Sequence, residues 1–215
     1  MSAVLAIDAV SDNIAVALDD GEGEPVVAMH HGTQEHSQRL LTMVDEVCGG
    51  RVEQIEAIVV VRGPGAYTGV RVGLATAEGL SLALGAPVYG VGTLEAVAEA
   101  AREGGLAGDF DAIHPAGRGD FAVQHFSGDN APGALQLVAG GDLGGRTLAG
   151  EGAGALGGMD ISARERCLAA IRLYRQGAAG PAEALYIREP HITIARKTPI
   201  AGAGPNPPAP ERTEE

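Results

Sequence analysis

The 215-residue sequence predicts an α/β fold in which mixed sheets are flanked by helices. Three observations carry that expectation. Short apolar runs separated by polar turns open the chain, the hydrophobic spacing then changes to three and four, and a continuous β-branched run leads straight into a glycine-rich loop.

The first run, Ala3-Val4-Leu5-Ala6-Ile7-Asp8, ends in an acid, and Ile14-Ala15-Val16-Ala17-Leu18 follows the polar turn Ser11-Asp12-Asn13, which reads as a hairpin. Val26-Val27-Ala28-Met29, beyond an acidic glycine-rich turn, completes an antiparallel three-stranded start. From His36, residues Leu40, Leu41, Val44, Val47 and Cys48 mark an amphipathic helix that Gly49-Gly50 ends. Ala57-Ile58-Val59-Val60-Val61 has the composition of a strand buried on both faces. A second helix is expected over about 70–84, a short strand over 87–91, and a third helix, capped by Thr93, to about Arg102.

After Gly104-Gly105 glycine and alanine dominate and periodicity fades. Strands are expected near 112–114, 121–126 and 135–138. A helix over 162–176 is clearer, since Ser162-Ala163-Arg164-Glu165 forms a capping box ahead of Leu168, Ile171 and Leu173. The proline-rich stretch from about Thr198 reads as a disordered tail. No internal repeat is evident.

Charge narrows the function classes. Fifteen Lys+Arg against 28 Asp+Glu give a net charge of −13, and the only lysine is Lys197. A surface of that sign repels phosphates, so direct nucleic-acid binding by the chain alone is not expected. No apolar run approaches the ~20 residues of a membrane span, and the first residues lack a signal-peptide pattern, which places the protein in the cytoplasm. Cys48 and Cys167 have no CxxC partner, and no HxxxH or HExxH pair joins the six histidines, most of which are expected at the surface or in turns. No metal site, no catalytic residue and no cofactor are therefore assigned.

Two constellations remain. The loop Gly63-Pro64-Gly65-Ala66-Tyr67-Thr68-Gly69 lies between a strand and a helix, where free N–H groups can hold an anion. It lacks the lysine of a P-loop, and loop chemistry alone favours a tight strand-to-helix turn needing positive φ over phosphate binding. Asp8, Gly63 and Gly65 are kept as vestigial phosphate-loop candidates. In the following helix Gly69, Gly73 and Ala77 form one small-residue ridge, and Ala75, Gly79 and Ala83 another; either can pack on the chain's own sheet or admit a partner helix.

Taken together, Ala6-Ile7-Asp8, His36-Ser37-Gln38-Arg39-Leu40-Leu41, the block from Arg62 through Gly73, Gly92-Thr93-Leu94-Glu95-Ala96 and Ala184-Leu185-Tyr186-Ile187-Arg188 resemble the bacterial TsaB (YeaZ) family. The resemblance implies an actin-like ATPase (ASKHA, RNase H-like) fold of two lobes, the second reduced: an N-terminal lobe over 1–103, a reduced lobe over 104–197, and a tail over 198–215. It implies a non-catalytic dimerisation subunit for threonylcarbamoyl transfer to N6 of adenosine 37 in tRNAs reading ANN codons. The implied partners are the catalytic paralogue TsaD, met through a helical bundle, and the ATPase TsaE, with a homodimer forming when the chain is alone. The paralogue's HxxxH histidines would fall at Thr93 and Val97, neither of which offers a metal ligand. The bundle assigns an interface to Leu40, Leu41, Val44, Gly73, Ala77 and Leu80. The chain departs from the family in Asp8-Ala9, where Asp-Thr is usual, and in the block Pro115-Ala116-Gly117-Arg118-Gly119-Asp120. The alternatives are an ATP-dependent small-molecule kinase or acyl transferase of the same superfold, and a metalloprotease.

Overall fold

The computed structural model describes residues 3–32, 36–128 and 131–188, with backbone only at 36–38. The expected tail over 198–215 lies outside the described residues. Among the described residues ten strands and four α-helices follow in order: β1 Ala3–Asp8, β2 Asn13–Asp19, β3 Val26–His31, α1 His36–Cys48, β4 Ile55–Val61, α2 Tyr67–Leu84, β5 Val88–Val91, α3 Thr93–Glu103, β6 Phe110–Pro115, β7 Asp120–Phe126, β8 Gln136–Ala139, β9 Leu148–Gly150, β10 Met159–Asp160 and α4 Ala163–Arg175.

They build two five-stranded sheets, β3-β2-β1-β4-β5 and β10-β9-β6-β7-β8. In the first, β1 is antiparallel to β2 and parallel to β4; in the second, β6 is antiparallel to β7 and parallel to β9. The same strand order is thus laid down twice, a repeat with no trace in the sequence. Helices α1 and α2 cover one face of the first sheet. Helix α4 covers the other and packs on α3, which lies against the second sheet.

Burial follows the sequence physics. β1 is buried along its whole length, as an unbroken apolar run between two helical layers must be. Among the described residues, the second sheet's far face carries a small cluster, Ile113, Val123, Leu143, Leu148 and Ala153. After α4 the chain returns to the first sheet. Gly180 bridges Gly90 at the β5 edge, and the Leu185 N–H donates to the Arg62 carbonyl at 2.8 Å.

Three local expectations are corrected. Helix α2 begins at Tyr67, three residues earlier than the periodicity indicates. The N-cap of α3 is Gly92, whose N–H donates to Oε2 of Glu95 at 3.0 Å, and Thr93 is the first helical residue. Strands β9 and β10 were not expected at all, because segments of three and two residues leave no periodicity to read.

Candidate functional site

The carboxyl ends of the two sheets' central strands converge on a cleft of about 550 Å³, lined by Val10, Ser11, Gly65, Tyr67, His114, Arg118, Glu151 and Tyr186, among others. Ligand crevices of open α/β sheets form at such strand ends. At its base lies an ion network between the sheets. Asp8, at the end of β1, is fully buried, and its Oδ2 accepts from Nε of the equally buried Arg166 of α4 at 2.7 Å. Its Oδ1 accepts from the Val10 N–H at 3.1 Å. Nη1 of Arg166 donates to Oε2 of Glu151, just beyond β9, at 2.9 Å and to the Ile161 carbonyl at 3.3 Å; Nη2 reaches Oγ of Ser11 at 3.3 Å. Nδ2 of Asn13 holds the other Glu151 oxygen at 3.1 Å.

Burial raises the Asp8 carboxyl above its ordinary value, opposed by the charge and hydrogen bond of Arg166. Arg166 stays protonated, because the attraction of Asp8 and then Glu151 outweighs its desolvation. His114, at the end of β6, is 1% exposed, with Nδ1 unbonded and 3.9 Å from Oε2 of Glu151. Burial first, and the charge of Arg166 second, push its pKa down to about 3. This corrects the expectation of a surface histidine, which here concerns a strand-end residue that reads as polar.

A pH dependence follows. Unfolded His114 takes up a proton near pH 6.5, while the folded residue resists it down to about 3. The unfolded state therefore binds the extra proton within that window, and stability falls as pH drops through it. Thermal melts from neutral to acid pH should show His114→Gln losing less stability than wild type; parallel curves would refute the assignment.

The actin-like ATPase class implies a metal-bound nucleotide in this cleft, and the candidate phosphate-loop residues do not fit one. Both Asp8 oxygens are engaged inside the protein. A Cβ at Gly63, whose φ is +105°, would sit 2.3 Å from the Leu185 carbonyl oxygen, and one at Gly65 2.4 Å from the Val10 oxygen. These glycines serve close backbone packing. Thr93 and Val97 are both fully buried in the core. Among the described residues no three His, Cys, Asp or Glu side chains gather to hold a metal.

The expected interface divides in two. Leu40, Val44, Gly73 and Ala77 are buried within the chain, so the first ridge of α2 packs on its own sheet and those four residues are corrected to core. Leu41 is 56% exposed, and it lines an apolar groove of about 510 Å³ with Val72, Ala75, Thr76, Gly79 and Leu80. Here the second ridge faces outward. Leu82, 90% exposed on the same helix, was missed, although an apolar residue one position from the Gly79–Ala83 ridge was readable.

Two helix-flanked mixed sheets of identical strand order, with a cleft between their carboxyl ends, have an actin-like ATPase-type fold. Residues 27–116 match the family model described as TsaD: tRNA N6-adenosine threonylcarbamoyltransferase. The TsaB protein of Escherichia coli is 39% identical over 104 residues, covering 46% of this chain and 43% of that protein. That of Haemophilus influenzae is 37% identical over 103 residues, with the same coverage. The chain thus spans less than half the length of these curated relatives. YeaZ from Pseudomonas aeruginosa superposes with a TM-score of 0.69 at 26% identity, over 87% of this chain and all of that one. In sequence over a little under half of its length, and in fold over most of it, the chain is similar to TsaB (YeaZ) proteins.

Proposed function

We propose that the chain is a non-catalytic subunit in the biosynthesis of threonylcarbamoyladenosine in tRNA, and that it acts by docking onto a catalytic paralogue of the TsaD type. The relatives' names supply the pathway. The observation that carries the docking role is the groove between α1 and α2, with Leu41 and Leu82 exposed beside an outward ridge of Ala75, Gly79 and Ala83. Small residues let a partner helix approach closely, and exposed leucines supply the area such an approach buries. The acidic surface suits a subunit that leaves the RNA to its partner. The same face closes a symmetric homodimer when the partner is absent, and the ATPase TsaE joins the assembled pair.

The test is co-purification with the catalytic paralogue from the same cell, comparing wild type with Leu41→Asp and Gly79→Leu. A Cβ at Gly79 meets nothing within 4 Å, so the leucine fills the groove without disturbing the fold. Both variants should lose the complex without a fall in melting temperature and run as monomers in light scattering. Retention of the complex by both would move the interface elsewhere.

A further inference from the structure

The Arg166 guanidinium is fully buried beneath an open cleft, and every one of its nitrogens is bonded: Nε to Asp8, Nη1 to Glu151 and Ile161, Nη2 to Ser11. Asp8 and Ser11 come from the first sheet's β1 and the turn after it. Glu151 follows β9 of the second sheet. The arrangement has the planar fork geometry of guanidinium recognition, with oxygen acceptors on three sides. Two carboxylates and one guanidinium leave a net charge of −1 at this point, beside a neutral imidazole. The surrounding groups hold the cation, and the cation is what the two sheets share.

We propose that the base of the cleft is a guanidinium-shaped cation cradle assembled from both sheets and filled by the chain's own Arg166, so that the lobes are clamped by a ligand that never leaves. In this arrangement the cleft keeps one aperture. An exchangeable cation has no access to the Asp8 and Glu151 oxygens while the tethered one is bound, and the walls formed by 9–12 and 114–118 stay at fixed separation.

Arg166→Ala empties the cradle, and Arg166→Met fills it without charge. Free guanidinium at millimolar concentration should raise the melting temperature of Arg166→Ala by about 4 °C, the shift expected for roughly tenfold excess over a dissociation constant. Urea has the same shape without the charge and should not. Wild type and Arg166→Met should respond to neither. Hydrogen exchange at 9–12 and 114–118 should quicken in Arg166→Ala and slow again with guanidinium. If Arg166→Ala folds only with guanidinium present, and not with urea, the cradle is read out by that contrast instead. The proposal is overturned if guanidinium neither stabilises nor refolds Arg166→Ala, if urea works equally, or if Arg166→Met responds in the same way.

Discussion

Asp8→Ala should destabilise the protein by about 3–5 kcal/mol, the magnitude that follows when one partner of a buried ion pair is removed and the other is left uncompensated. Arg166 would keep Glu151, but it would lose the 2.7 Å contact that orients its Nε at zero solvent exposure. The larger part of the loss is the stranded charge, not the missing bond. Adding Arg166→Met should therefore recover most of the stability, because an apolar side chain of similar length occupies the same volume without needing an acceptor. Chemical denaturation of the two single variants and the double variant measures this directly. A double variant as unstable as the sum of the singles would show that the network stabilises through geometry rather than through charge balance.

Gly69→Ala should be nearly as severe, at about 3 kcal/mol or more, since a Cβ there would lie 2.0 Å from the Ala9 carbonyl oxygen and backbone must move to admit it. The three glycines of α2 make an internal control. At Gly73 a Cβ finds ordinary contacts of 3.5 Å or longer, with Ala9, Val60 and Ile7, and alanine should be tolerated. At Gly79 it meets nothing, so alanine should stabilise by about 1 kcal/mol through helix propensity alone. Melting temperatures of the three alanine variants should rank in the order 79, 73, 69. Equal effects at 69 and 79 would contradict the close approach of α2 to the β1–β2 turn.

The first hundred residues are legible in the sequence because each element there carries a full apolar period. β1 and β4 read as continuous runs, and α1 reads from Leu40, Val44 and Val47. The second sheet is legible only where its strands are long, in β6 and β7. β9 is three residues and β10 two, so their place rests on pairing alone, Asp111 with Leu148 and Met159 with Ala149. That is why the repeated strand order escapes sequence reasoning. The site was partly readable: Asp8 was singled out, but its partner lies 158 residues away on α4, where an arginine looks like any solvated helical charge. The interface expectation shows a different limit. Spacing locates two ridges on α2 without saying which faces outward, and only the placement of β4 beneath Gly73 and Ala77 decides it.

The union of Asp8 with Arg166 also sets the order in which the molecule can be completed. Asp8 leaves the ribosome 158 residues before Arg166, which follows only after both sheets have been synthesised. The β5 edge likewise waits for Gly180, with the whole second sheet between the two in sequence. Contacts of such separation close late and slowly. Until then the nascent first lobe exposes the sheet face that α4 later covers and an unprotected strand edge, the kind of surface that nascent-chain binding factors cover.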